Sequence, residues 1–462
     1  MAALTQSLYK LAQLLENGEL TALQLIEHAL AQSQDEHSEV KRIFTDFQIG
    51  EARKQALKID ALRKQNRHPS PFAGIPLSVK DLFDLEGQVT TAGSILLKDR
   101  KPAFCNAHAI DLLLKAGMIN VGRTNMSEFA YSGVGLNPHY GTPAGIWLEP
   151  DDMHKKMVRK RIPGGSSSGA AVSVAEQIVP LGIGTDTGGS CRVPAAFNGI
   201  CGFKSSHGRV STRGVFPLAK SLDSVGPLCA DIDSIFLADL LMRKGYDQNQ
   251  PLKLLAIERG LKIGVVQDLV LDDLDPKISD DFTSAIKMIE KKGHQCYDIH
   301  IRSLKKLPEI NASGGISAVE AYHVHQAWLS KEHAKYDPRI HRRICSAEQI
   351  SAIEYAQILQ FQHRLQQIFA SIYQEMDCLI MPSVPIIAPL IADLESDDQN
   401  YARANFTCLR NSFVANFAKQ CAISIPMHKK NTMPTGLMLM TDWGFDDKLL
   451  SIAKAIFNIF KQ

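Results

Sequence analysis

Residues Pro163–Ser206 read PGGSSSGAAVSVAEQIVPLGIGTDTGGSCRVPAAFNGICGFKSS, and the rest of the chain is organised around them. The stretch holds two glycine–serine loops, Gly164–Gly169 and Thr187–Ser190. Between them lie a small-residue run of helical character (Ala170–Ala175) and an apolar, strand-like run (Val179–Ile183). A loop therefore opens a helix, and a strand delivers a second loop. Glycines let backbone N–H groups turn toward a ligand, and serines supply hydroxyls. The pattern suits anion binding or nucleophilic catalysis.

Outward from this stretch, helical and strand-like segments alternate. Leu8, Leu11 and Leu15, then Leu23, Ile26 and Leu30, recur at helical spacing, with Asn17-Gly18 as a break and Thr21 as a cap. Leu77–Val79 reads as a short strand closed by Lys80. That lysine either snorkels to the surface or is buried with a lowered pKa and able to act as a base. Residues 107–116, 279–292, 313–332, 351–374, 404–419 and 446–460 read as helices. Residues 119–121, 261–266, 377–381, 422–426 and 437–440 read as strands, 207–228 as loop, and 144–162 as a basic surface excursion. The alternation predicts an α/β layered fold. No repeat or low-complexity linker divides the chain, so a single domain over 1–462 is expected.

Bulk properties exclude several function classes. The 462 residues carry 51 basic and 49 acidic side chains, a net charge of +2, which leaves no broad footprint for nucleic acid. The 9 cysteines are scattered without a C-x-x-C pair, which argues for a reducing, cytoplasmic location and against a disulfide framework or zinc cluster. The start, MAALTQSLYKLAQLLENGEL, has no basic segment followed by an apolar core, so no signal peptide is expected. No apolar run is long enough to cross a membrane.

Three chemistries compete for the central stretch. A phosphate loop would use the helix that Gly164–Gly169 opens, but Ala170 stands where the lysine of G-x-x-x-x-G-K-[ST] belongs. A nucleophile elbow would use Ser167 in Gly165–Gly169, but that motif needs an apolar strand directly before it, and here a basic, proline-ended segment precedes it. The third reading joins both loops to Lys80.

In that third reading the sequence resembles the amidase signature family. GGSSSGAA followed by GTDTGGSCRVPAAFNGICGFKSSHGRVS looks like the signature itself, and GIPLSVKDLFDLEG like the family's lysine segment. TNMSEFAYSG, NPHYGTP, YDPRIHRRI, DCLIMPSVPIIAP and MPTGLMLM extend the likeness along essentially the whole chain. The resemblance implies a large central mixed β-sheet covered by helices on both faces. It implies N-terminal helices over 1–70, a catalytic core over 71–228 and a variable, pocket-shaping region over 229–462.

It also implies an amidase. Ser190 attacks the carbonyl and forms an acyl-enzyme, and Lys80 is the base, relayed through Ser166, which in this family sits on a cis peptide bond. Backbone N–H groups of Thr187, Gly188 and Gly189 form the oxyanion hole. Asp186 and Arg192 brace the turn, as a structural ion pair or in contact with substrate. Met126, Tyr131 and Arg343 are candidate substrate residues, and Cys191 is packed rather than reactive. The substrate is a small-molecule amide; no cofactor, metal, nucleic acid or membrane is called for, and the chain is a monomer or homodimer. The rival within the family is the glutaminase component of tRNA-dependent amidotransferases. Those proteins usually have glutamine where this chain has Val193, and an acidic residue for the glutamine ammonium where it has Leu409. The loop also carries Ser168 where glycine is usual, and 144–162 is longer than the family's connection.

Overall fold

The computed structural model of the protein describes every residue except 1–3, 5, 35–38, 148–158, 244, 246–253, 258–259 and 462. Eleven strands form one mixed sheet: β1 Phe44–Phe47, β2 Pro76–Lys80, β3 Ile119–Thr124, β4 Leu181–Asp186, β5 Cys201–Lys204, β6 Ser224–Cys229, β7 Lys262–Val266, β8 Gln295–Ile299, β9 Cys378–Pro382, β10 Cys421–Pro426 and β11 Gly436–Thr441. Their spatial order is β1-β3-β2-β4-β6-β5-β10-β11-β9-β7-β8. The β3-β2-β4 and β9-β7-β8 neighbours pair parallel, and the centre of the sheet from β4 to β9 is antiparallel.

Both faces of this sheet are covered, and the strand sequences show why. Along β9, Cys378 and Ile380 enter one core while Leu379 and Met381 enter another; on β11, Leu437 and Leu439 divide from Met438 and Met440 in the same way. Strands buried on both faces read as continuous apolar runs. The helix Asp446–Phe460 packs its Leu449, Leu450 and Ile456 into the first core, and the helix Ala352–Ile372 its Leu365 and Phe369 into the second. No helix among the described residues is long and apolar enough to cross a membrane.

Local signals were sound where they were strong. Thr21 caps Ala22–Ser33 in a capping box with Gln24, and Gly18, at φ +69°, turns the chain away from the preceding helix Leu8–Glu16. Three expectations need correction. The helix over 404–419 is two, Asp398–Arg410 and Ser412–Phe417, which meet at Asn411, whose side-chain amide donates to Val270 O and Pro382 O. The helix over 313–332 is only Gly315–His325, beginning after Gly314 at φ +85°. The loop over 207–228 ends in β6, whose Gly226 and Pro227 disguise a strand. Gly226 has to be glycine, since a Cβ there would sit 1.9 Å from Phe203 O of the neighbouring strand. Most of the basic excursion at 144–162, namely 148–158, lies outside the described residues.

Candidate active site

β2 and β4 are parallel neighbours, and both end at the same edge of the sheet. β2 delivers Lys80 there, and β4 delivers Thr185, Asp186 and the Thr187–Ser190 turn. The Gly164–Gly169 loop and its helix Ser168–Ala175 pack onto that edge. Gly169 and Gly182 allow the approach: a Cβ at Gly169 would lie 2.3 Å from Ile43 O, and one at Gly182 2.7 Å from Ala170 O. The peptide bond between Gly165 and Ser166 is cis.

Lys80 is fully buried, so the surface reading of this lysine is overturned. Its Nζ lies 2.8 Å from Ser166 Oγ, 3.0 Å from Ser167 Oγ and 2.9 Å from Thr185 Oγ1. Burial pushes its pKa down to about 8, against the opposing pull of Cys191, Asp186 and Asp223. An ammonium would donate to all three hydroxyls, whereas a neutral amine donates to two and accepts from the third. Ser167 already donates its own proton to Thr185 O (3.2 Å), so Ser166 and Thr185 are the hydroxyls able to donate to a neutral Nζ.

The Thr187–Ser190 turn is built around one carboxylate. Asp186 accepts from Gly189 N–H (2.9 Å) and Cys191 N–H (3.0 Å), and pairs with Arg192 at 2.9 Å. Burial opposes the Asp186 charge, yet Arg192 and Asn416 together hold its pKa well below the usual carboxylate range. Arg192 continues to Asn416 Oδ1, Ser412 O and Met438 Sδ, all away from the cleft. Arg192 is thus the structural half of the expected alternatives. Replacing Arg192 with methionine leaves the Asp186 charge buried and unpaired, and should lower unfolding free energy by about 3–5 kcal/mol in chemical denaturation.

The same geometry refines the expected oxyanion donors. The Gly189 N–H points inward to Asp186, while the N–H groups of Thr187, Gly188 and Ser190 donate to no protein acceptor among the described residues. Gly189 instead serves the shape of the turn. Its φ is +135°, and a Cβ would fall 2.1 Å from Ser412 Oγ. Gly189→Ala should therefore lower both the thermal midpoint and activity, by roughly 1–3 kcal/mol in stability.

Ser190 and Thr187 open onto a cleft of about 390 Å³, lined also by Tyr131, Leu218, Gly314, Arg343, Leu409 and Phe413. Tyr131 and Arg343 are therefore brought to Ser190. Met126 is not: Asn125 Oδ1 and Asn137 Nδ2 hold its backbone, and its side chain packs against Gly93, away from the cleft. Cys191 is buried with its thiol 3.6 Å from Gly226 O, and burial drives the thiol pKa far up. Sequence reasoning missed Asp223, which accepts from Thr187 Oγ1 at 2.6 Å and ties the turn to the Leu218 segment. Only its place just before an unrecognised strand could have signalled it.

The family model described as Amidase matches residues 24–450. The chain belongs to the amidase family. Among curated relatives, the 2-amino-5-chloromuconic acid deaminase of Comamonas testosteroni is 32% identical over 467 residues, covering 100% of this chain and 98% of that protein. A glutamyl-tRNA(Gln) amidotransferase component from Methanospirillum hungatei is 30% identical, covering 83% of this chain and 92% of its own length. A crystal structure of an amidase superposes with a TM-score of 0.85 at 27% identity, covering 98% of this chain and 99% of that one. This member of the amidase family is accordingly an amide-hydrolysing enzyme in class, with the mixed sheet flanked by helices that its solved relatives have.

Proposed function

We propose that this amidase cleaves the C–N bond of a small carboxamide by acyl transfer through Ser190. The observation that carries the reading is the contact of a fully buried Lys80 with Ser166 Oγ at 2.8 Å, beside a cleft into which Ser190 opens. Lys80 in its neutral form takes a proton through Ser166 as Ser190 Oγ attacks the carbonyl carbon. The oxyanion is met by N–H groups of Thr187, Gly188 and Ser190, each such donor being worth about 3 kcal/mol of barrier. The same relay returns the proton to the departing nitrogen, which leaves as ammonia or an amine. Water then cleaves the acyl-enzyme to the carboxylate. Residues 71–228 supply this machinery, and 229–462 supply much of the cleft wall.

The amidotransferase reading has the Methanospirillum relative in its favour. Against it, Leu409 places an apolar wall in the cleft where that class usually has an acid for the glutamine ammonium. A free-standing amidase, as a monomer or homodimer, is therefore the better reading.

Ammonia release from a panel of primary amides tests it, with aliphatic, aromatic, amino-acid and dicarboxylic half-amides and glutamine, and Ser190→Ala as control. Turnover of one acyl class, lost in the variant, is expected. Turnover of glutamine alone would revive the amidotransferase reading, and turnover surviving in Ser190→Ala would remove Ser190 from the chemistry.

A further inference from the structure

The antiparallel pairing of β4 with β6 sets Asp186 across from Ser224, where the ladder between the two strands ends. Thr187 follows Asp186 and opens the Thr187–Ser190 turn, and Asp223 stands just before Ser224. The register therefore brings Thr187 and Asp223 opposite each other, one step beyond the sheet. Thr187 Oγ1 donates to Asp223 Oδ1 at 2.6 Å, and both residues are buried.

The turn is thus held from two sides. Asp186 takes the N–H groups of Gly189 and Cys191, which fixes its second half. Its first half is held by the Thr187 hydroxyl on Asp223 and by Ser412 Oγ, which donates to Gly188 O at 2.8 Å. That first half carries the Thr187 and Gly188 N–H groups, which donate to no protein acceptor among the described residues.

Asp223 also reaches the cleft wall. Its Oδ1 accepts from Ala219 N–H at 3.2 Å and its Oδ2 from Leu218 N–H at 3.1 Å, and Leu218 lines the cleft beside Ser190. Burial pushes the carboxyl up to about 6 against the pull of the Thr187, Ala219 and Leu218 donors, and Glu320 adds to the rise. The group is therefore ionised near pH 8, where Lys80 loses its proton. An ionised carboxyl only accepts, which is what three converging donors require. Keeping such a charge buried among neutral donors costs stability that an apolar side chain would not.

We propose that Asp223 is a positioning residue for the oxyanion hole: through the Thr187 hydroxyl it fixes the first half of the turn, so that the Thr187 and Gly188 N–H groups converge on the oxyanion formed at Ser190. This rests on the amidase reading above and adds a residue to it. Asp223 touches no reacting atom. Its effect is felt where charge develops on the carbonyl oxygen, so it acts on the chemical step rather than on substrate binding.

A fluorophosphonate tests this without knowledge of the acyl group. Ser190 Oγ bonds to phosphorus, fluoride leaves, and the phosphoryl oxygen takes the place of the oxyanion. Rates are taken at about pH 9, where Lys80 is neutral with or without the Asp223 charge that raises its pKa. Thr187→Val keeps the side-chain shape without the hydroxyl. It should lower the limiting rate of adduct formation, kinact, by about tenfold or more while KI changes less than about threefold, as for a donor displaced from the oxyanion. Asp223→Asn should act in the same direction, and the double variant should lose about as much as Thr187→Val alone, because the two residues work as one link. Thr187→Ser keeps the hydroxyl and should stay within about threefold of the unmodified enzyme. Thermal melts confirm that each variant is folded; should Asp223→Asn fail to fold, the valine and serine variants decide between them. Unchanged kinact in folded Thr187→Val, a loss that falls on KI, or losses that multiply in the double variant would overturn the assignment. Absence of a Ser190 adduct in the unmodified protein would instead remove the amidase reading, and the proposal with it.

Discussion

Replacing Ser190 with alanine should abolish amide hydrolysis, lowering kcat by about 10⁴-fold or more, the loss typical when a nucleophile is removed. The fold should survive. The Ser190 side chain opens onto the cleft rather than into the core, while its carbonyl, which accepts from Ser167 N–H at 3.2 Å, is untouched by the change. The turn stays shaped by Asp186 and Gly189, and its N–H donors remain. Substrate should therefore still bind, with the loss falling on kcat rather than KM. Steady-state kinetics and a thermal melt on one preparation check both halves. Undiminished turnover in the variant would take the nucleophile away from Ser190.

The second large effect is expected at Lys80. Lys80→Ala and Lys80→Met should each reduce kcat by about 10³-fold or more, because a serine hydroxyl without a base is scarcely nucleophilic. The methionine variant fills the vacated volume without a charge and keeps the comparison free of a cavity. In the unmodified enzyme the pH profile follows from burial. Lys80 is pushed down to about 8, so it is protonated and unable to accept a proton well below that pH. The rate should therefore rise with pH through about 8 and then level off. A rate falling steadily from about pH 6 to about pH 9 would contradict a lysine base.

How much of this was legible in the sequence follows physical lines. Strands buried on both faces, such as Cys378–Pro382 and Gly436–Thr441, announce themselves as apolar runs, and the helix Asp446–Phe460 by its periodicity. Strands carrying glycine and proline do not. Gly226-Pro227 hides β6, which pairs β4 with β5 at the centre of the sheet. Short or exposed strands such as Phe44–Phe47 and Gln295–Ile299 carry too little apolar signal to be read.

At the site, resemblance to the amidase signature family singled out Lys80, Ser166 and Ser190, and the fold puts Lys80 Nζ against Ser166 Oγ beside the cleft that Ser190 lines. Motif chemistry does not say which way an N–H points. The inward turn of the Gly189 N–H toward Asp186 is a matter of three-dimensional packing, as is the exclusion of Met126 from the cleft. Asp223 is equally invisible in sequence. It sits in an unremarkable stretch and gains meaning only through the Thr187 hydroxyl that the fold brings opposite it.

The central claim is that Ser190 is the nucleophile and a buried lysine its base. Labelling with a fluorophosphonate, followed by peptide mass spectrometry across a pH series, addresses it most directly. The account predicts a single adduct on Ser190, formed faster as pH rises through about 8, and formed far more slowly in Lys80→Met. An adduct on Ser167, Ser166 or Cys191 instead, or labelling of Ser190 at a rate indifferent to both pH and Lys80, would contradict it.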